Sequence, residues 1–148
     1  MPRAVCGGGQ LTEIVQETED FEAVLKLDRS VFGADRSTVL LALARDPRTR
    51  CFAAHDGSTP AGYLFAAENR IGPGCASDAA VACKLVSAAS RTSNAERQML
   101  LPMESSYLSE LLALGLRERR RLTHMRFGEP ILPGERNRLI GHTSYAAG

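Results

Sequence analysis

A glycine-rich stretch ahead of an alanine-rich segment has the residue types of an anion site. Residues 72–78 read Gly-Pro-Gly-Cys-Ala-Ser-Asp, and residues 79–89 are mostly small, with apolar positions at helical spacing. The first amides of a helix have no partner within it and lie at the positive end of its dipole, so they favour phosphates. The stretch predicts an anion site at the amides of Gly74, Cys75 and Ala76.

The same stretch has a second interpretation as an ordinary strand-to-helix turn. Ser77 or Asp78 can cap the helix through a side-chain oxygen. Pro73 lacks a backbone donor, and Asp78 places a negative charge beside the proposed anion. Both interpretations remain open at this point.

The cysteines, histidines and clustered arginines of the chain do not have the spacing of a familiar metal-binding or nucleic-acid-binding motif. The four cysteines show no C-x-x-C spacing, and His55, His124 and His142 lie apart from them, so no metal site is expected. Basic side chains crowd one late segment and could form an anion site or blunt an exposed strand edge: Arg117, Arg119, Arg120, Arg121 and Arg126. Nucleic-acid binding is disfavoured, because only Phe127 could stack there.

Length and charge indicate one ordinary globular domain. The chain has 148 residues and a formal net charge of +1, from 18 basic and 17 acidic residues, so no overall field draws it to nucleic acid or membranes. We expect a flexible tail over residues 1–10 and a single domain over 11–148. The sequence has no secretory leader and no apolar run of spanning length, which predicts a cytoplasmic protein with reduced thiols.

The pattern of apolar residues predicts an alternation of strands and helices. Strands are expected at 11–17, 51–53, 61–67, from Ile71, at 98–103, 122–127 and 138–145, and the second and third should form an antiparallel hairpin. Helices are expected at about 21–32, around 39–43 and ending before Pro47, at 79–89, and at 105–114 with closure at Gly115. Gly72, Pro73 and Gly74 are expected to form a turn.

The order of these elements resembles the GNAT N-acyltransferases, and several strings resemble the C-terminal GNAT domain of tandem acetyltransferases. The strings are Leu27-Asp28-Arg29-Ser30-Val31-Phe32-Gly33-Ala34-Asp35-Arg36, Ala61-Gly62-Tyr63, Ile71-Gly72-Pro73 and Leu122-Thr123-His124-Met125, with the closing glycine after Tyr145. The resemblance implies an α/β fold with a mixed, mostly antiparallel central sheet flanked by helices. It also implies a V-shaped splay between the fourth and fifth strands, where acetyl-CoA would lie.

The resemblance further implies transfer of an acyl group from acetyl-CoA to a small amine, with a tyrosine of the last helix as the acid. That tyrosine usually lies four residues before the closing glycine, where this chain has Leu111, so Tyr107 one turn earlier is the candidate acid and Glu104 the candidate base. Alternatively, Tyr107 anchors the first turn of the helix and Glu104 caps it. The candidate cofactor-binding residues are Ile71, Gly72, Gly74, Cys75, Ala76 and Ser77.

Two departures leave a second function open. No string of the form Gln/Arg-x-x-Gly-x-Gly/Ala precedes the helix at 79–89, and Leu111 cannot transfer a proton. The alternative is a non-catalytic GNAT-like module that supports dimerisation or a partner catalytic domain. A homodimer is compatible with either function.

Overall fold

A computed structural model of the chain describes residues 14–123, 125, 127–128 and 134–143. The described part contains one six-stranded sheet, in the order β1-β2-β3-β4-β5, with β6 also paired to β4. Its strands are β1 (Ile14–Glu17), β2 (Arg50–Asp56), β3 (Thr59–Ala66), β4 (Arg70–Ala76), β5 (Gln98–Met99) and β6 (Leu139–Gly141). All pairs are antiparallel except β4 with β5, which confirms the predicted sheet type.

Within the described residues, four α-helices flank the sheet. They are α1 (Phe21–Phe32), α2 (Ser37–Arg45), α3 (Ala79–Ser90) and α4 (Leu108–Ala113). Side-chain caps begin two of them, α1 and α3. The Asp20 carboxylate accepts a hydrogen bond from the Ala23 amide at 3.3 Å, and Gly33 ends α1 with a φ of 80°. Gly115, with a φ of 101°, closes α4 as predicted.

Several predicted elements differ from the observed ones. Residues 72–74 lie within β4 rather than in a turn, the strand expected at 98–103 is limited to Gln98–Met99, and α4 begins at Leu108 rather than at 105. The described members of 122–127 are not in a strand. Strand propensity expresses how well a residue fits a paired, half-buried surface, and the described residues of 122–127 pair with no strand. The strand expected at 138–145 is β6, and Ser144 and Tyr145 lie outside the described residues.

The sheet has an apolar core on each face. Side chains alternate along β3, so Leu64 packs with the α3 side, while Tyr63 and Phe65 pack with the α1 side. The alanines of α3 let this helix approach the sheet closely. A Cβ added at Gly62 would lie 2.7 Å from the Cys75 carbonyl oxygen and 3.0 Å from Val81 Cγ1, so this glycine permits the same close approach.

A buried ion pair joins α1 to the start of α2. The Arg36 guanidinium donates two hydrogen bonds to the Asp28 carboxylate, at 2.9 and 2.7 Å, and the Tyr63 hydroxyl donates a third to the same carboxylate. The Arg36 guanidinium carbon also lies 3.9 Å from the centre of the Phe32 ring. All three polar residues are buried, so each needs the others to satisfy its polar atoms.

We expect Arg36→Met to destabilise the domain by about 3–5 kcal/mol, because it leaves the Asp28 carboxylate buried without its counter-ion. Urea unfolding at neutral pH measures this loss. Arg29→Met is the matched control, since Arg29 pairs with Asp35 on the surface, where the pair is solvated. An Arg36→Met loss no larger than that of the control would show that the buried pair does not hold α1 and α2 together.

Candidate functional site

The described structure has a wedge between β4 and β5, where these two parallel strands separate. They pair only at Arg70 with Gln98 and at Ile71 with Met99. We call the space beyond these pairs, along the C-terminal half of β4, the wedge. In the resemblance described above, this is where acetyl-CoA would lie.

The wedge is filled by β6 of the same chain. Gly141 pairs with Gly74, and Leu139 pairs with Cys75, both in the antiparallel direction. On the other side, the His142 amide donates to the Leu100 carbonyl just after β5, at 2.9 Å. The strand therefore lies between β4 and the continuation of β5 and has backbone contacts with both.

The glycines of β4 allow backbone to approach backbone. A Cβ at Gly74 would lie 2.6 Å from both the Tyr63 carbonyl oxygen and Leu64 Cδ1. Gly72 has a φ of 119°, and a Cβ there would lie 3.0 Å from the His142 carbonyl oxygen. The prediction that residues 72–74 form a turn is therefore wrong, because these residues lie in β4, between β3 and the residues around β6. The anion site at the amides of Gly74, Cys75 and Ala76 stays a prediction.

Tyr107 reaches the wedge, but its hydroxyl already has a partner. It donates to the carbonyl oxygen of Ala76, the last residue of β4, at 2.9 Å, and the Arg138 Nε donates to the same oxygen at 3.1 Å. Only 6% of Tyr107 is exposed. Burial raises the pKa of the Tyr107 hydroxyl above its usual 10.0, although the nearby Arg138 charge opposes the rise.

The start of α3 carries an acidic cap. The Asp78 carboxylate accepts from the Val81 amide at 3.0 Å and from the Ser77 hydroxyl at 3.2 Å. The Ser77 amide donates to the Ala61 carbonyl at 2.7 Å. The predicted Asp78 cap is confirmed, and its charge occupies the end of the helix that would otherwise attract an anion.

The remaining candidates are divided between the core and the surface. Ile71 is buried against the α3 core and Cys75 against the α1 core. Burial raises the pKa of the Cys75 thiol to about 12, so the thiol stays neutral at physiological pH. Glu104 is exposed in the turn before α4, so the structure brings only Tyr107 of the predicted pair to the wedge.

The strand in the wedge belongs to a longer plug segment, residues 134–143, which packs against two other parts of the domain. The Glu135 amide donates to the Val31 carbonyl at the end of α1, at 2.8 Å. The Ser106 amide donates to the Asn137 carbonyl at 2.8 Å, and the Ser105 hydroxyl donates to the Leu139 carbonyl at 2.7 Å. These bonds fix the plug segment to α1 and to the loop before α4.

An arginine adds a further contact to the plug segment. The Arg136 guanidinium carbon lies 4.2 Å from the centre of the Phe32 ring, the same ring that Arg36 contacts. Leu139 and Ile140 are fully buried. Sequence reasoning placed a strand here but did not identify Arg138 and Leu139 as wedge residues; the apolar pair before Gly141 was the available signal.

The described ranges contain neither a metal-binding cluster nor a helix that could cross a membrane. No group of three or more His, Cys, Asp or Glu residues within 14–123, 125, 127–128 and 134–143 could hold a metal ion. Across the same residues, no helix has the length and apolar character needed to cross a membrane.

Comparison with known proteins gives one family and one solved structure. A family model described as "Acetyltransferase (GNAT) domain" matches residues 24–141, which is most of the chain. A crystal structure of a candidate acetyltransferase from Pyrococcus horikoshii, at 2.25 Å resolution, superposes with a TM-score of 0.69 at 22% sequence identity. The match covers 90% of this chain but only 46% of that one. No curated protein matches.

Tyr107→Phe should destabilise the domain by about 0.5–1.5 kcal/mol, because the Ala76 carbonyl loses one of its two side-chain donors. The raised pKa sets the pH dependence of this effect. The contribution of the Tyr107 hydroxyl to folding stability is complete below pH 10.0, which is the usual pKa of this group. It is lost as the pH rises through the higher pKa of the folded state. Chemical denaturation at a series of pH values measures the difference between wild type and variant.

The matched control for this substitution is Ser109→Ala. Ser109 is an exposed hydroxyl residue on α4 that contacts its neighbour Glu110 rather than the sheet, so its loss should leave stability almost unchanged. A Tyr107→Phe variant as stable as the control, with the same pH dependence as wild type, would mean that the hydroxyl contributes nothing at the wedge.

Proposed function

The chain belongs to the GNAT acetyltransferase family, and on this premise we propose that it acts as a non-catalytic GNAT module that supports a partner, either a second copy or a catalytic domain. The observation that carries the proposal is the pairing of β6 with β4. The backbone groups of β4 that border the wedge face Leu139 and Gly141, which lie where the family resemblance would put the cofactor.

The residues around the wedge do not fit acetyl-CoA in this arrangement. The backbone of residues 141–142 occupies the space beside Gly72. The Ala76 carbonyl already accepts hydrogen bonds from Tyr107 and Arg138. Asp78 would face any diphosphate placed at the start of α3. Binding the cofactor there would require the chain to leave the wedge and break at least the backbone bonds that hold β6.

The plug segment is held by well-formed contacts, which supports a closed wedge as the stable state. Its hydrogen bonds to Val31, Ser105 and Ser106 lie between 2.7 and 2.8 Å, and they join three separate parts of the chain. Each intramolecular hydrogen bond adds about 0.5–1.5 kcal/mol, and the burial of Leu139 and Ile140 adds more. Opening the wedge would lose all of these contributions together.

A supporting role also agrees with the extent of the match to a solved structure. The region that resembles this chain makes up 46% of the Pyrococcus horikoshii protein, so in that protein the fold is one part of a longer chain. A module of this kind needs a surface for its partner rather than a reactive centre.

The second candidate is an acetyl-CoA-dependent N-acyltransferase that acts on a small amine. The family match favours it, and so does the position of the Tyr107 hydroxyl at the end of β4. In this case Tyr107 would be the acid, Glu104 the base, and the plug segment would have to leave the wedge. The cytoplasmic location and the absence of nucleic-acid and membrane partners stay predictions under either function.

We expect the full chain to bind no acetyl-CoA at millimolar concentration. Titration calorimetry should give no saturable heat, and thermal unfolding should show no shift, because a closed wedge offers no gain in binding free energy. Were acetyl-CoA to bind with a dissociation constant near 10 μM, 1 mM would stabilise the fold by about 2.7 kcal/mol, which a thermal scan detects easily.

Saturable binding that CoA displaces would overturn the non-catalytic proposal and favour the second candidate. In that case Tyr107→Phe should lower the rate of thiol release from acetyl-CoA without abolishing cofactor binding. Glu104→Gln is a companion variant, because Glu104 is exposed and its removal should leave stability unchanged.

A further inference from the structure

A groove lies on the α1 face of the sheet, between the first half of α1 and the hairpin of β2 and β3. Its volume is about 220 Å³, including the open mouth. Ala53, Pro60 and Tyr63 form its floor, and α1 contributes Val24 and Leu27 to its wall. The wedge lies beside β4, whereas the groove is lined from α1, β2, β3 and the loop before α1, so the two are separate places on the domain.

Three polar side chains line the same groove. Thr18 and His55 are half-buried, and Asp20 is exposed. The Asp20 carboxylate accepts from the Ala23 amide through one oxygen, and it forms no ion pair within the described ranges. To the residues of those ranges His55 makes neither a hydrogen bond nor an ion pair. The groove therefore has polar groups that the described part of the chain leaves open to an occupant.

The charge of the groove favours a cation. Among its lining residues Asp20 alone is acidic, and none is a lysine or an arginine. The start of α1 carries a partial positive charge of about half a unit, which does not cancel the full charge of a carboxylate. A neutral imidazole can accept a hydrogen bond from an N–H donor, so His55 offers a second contact to the same kind of group.

The size of the groove restricts its occupant to one side chain. Sites for whole small molecules begin at about 300 Å³, which is more than the 220 Å³ found here. A lysine side chain combines a flexible four-carbon stem with a compact ammonium. Its stem can lie along Leu27 and Pro60 while the ammonium reaches the Asp20 carboxylate at the edge of the groove.

From the apolar walls, the unpaired carboxylate and the small volume, we propose that this groove seats one lysine side chain of the partner protein that the module supports. The inference rests on the proposed function, because it names a contact of that partner. The contact lies on the α1 face of the sheet and leaves the wedge closed.

Titration of the full chain with a single lysine side chain tests the groove. The probe is Nα-acetyl-lysine methylamide, which carries the ammonium without a charged α-amine or carboxylate. We expect saturable NMR shifts of the His55 ring and of the amides of Ala23 and Val24. The dissociation constant should lie in the millimolar range, because one side chain makes few contacts.

Asp20→Asn is the variant that removes the charge, since asparagine caps a helix about as well as aspartate does. We expect the dissociation constant of the probe to rise by about threefold or more, while the stability of the fold stays unchanged. Asp78→Asn is the matched control, because Asp78 caps α3 on the other face of the sheet in the same way. If Asp20→Asn binds the probe as tightly as wild type and this control do, the assignment of the groove is wrong.

Two further probes test the identity of the side chain. Nα-acetyl-norleucine methylamide has a straight apolar stem without the ammonium, and we expect it to bind more weakly than the lysine probe. Equal affinity would mean that the groove selects the stem alone, which overturns a lysine seat. An arginine probe that binds as tightly as lysine would overturn it as well, because the planar guanidinium is broader than an ammonium.

The groove and the proposed function fail in different ways. Binding of the lysine probe that Glu104→Gln weakens and Asp20→Asn leaves unchanged would place the amine near the wedge and overturn the groove. A chain that binds neither the lysine probe nor acetyl-CoA removes the groove and leaves the non-catalytic function standing. Saturable binding of acetyl-CoA removes the non-catalytic function itself.

Discussion

A strand inside a domain must satisfy the backbone groups on both of its edges, and β4 has β5 beside it for only two residues. Beyond Ile71 the two strands separate, so the remaining amides and carbonyls of β4 need another partner. The chain supplies one from more than 60 residues further on, at Leu139–Gly141. The arrangement of the glycines, of Tyr107 and of the plug segment follows from this requirement.

The sequence of β4 fits a strand that is enclosed by backbone on both sides. Gly74 lies against Tyr63 and Leu64 of β3 at distances that leave no room for a Cβ, and Gly72, with a φ of 119°, lies in tight contact with His142. From the sequence alone, glycines in such positions look like a phosphate-binding loop. A phosphate-binding loop and a tightly packed strand both need a stretch of backbone without side chains. In this domain the glycines contact the backbone of neighbouring segments of the same chain, so they permit close packing of the strands.

The buried ion pair of Asp28 and Arg36 acts on the wedge through α1. It fixes the C-terminal half of α1, whose Val31 carbonyl and Phe32 ring contact the plug segment. The α1 core and the wedge are therefore parts of one packing arrangement. The family's sheet is kept, while the wedge where the resemblance places a cofactor is closed by residues of the chain itself. A module that supports a partner is compatible with this arrangement.

The sequence by itself determined the elements whose signals are local. The Asp20 and Asp78 caps, the glycines after α1 and α4, the hairpin of β2 and β3 and the helical face of α3 each depend on residues within about one element length, and all are present. The sheet type and the candidate Tyr107 were expected from the resemblance to the GNAT family, which rests on the family strings and on the order of these elements. The partner of the Tyr107 hydroxyl was not predicted.

Only the tertiary structure decided what fills the wedge. Whether residues 72–74 form a turn or a strand depends on whether another strand lies beside them, and that strand is distant in sequence. The same reason explains why the described residues of the alternating segment 122–127 are not in a strand: they have the right pattern, but they pair with no other strand. Local patterns report which conformation a segment prefers, whereas a strand exists only where the fold brings a second backbone within hydrogen-bonding distance.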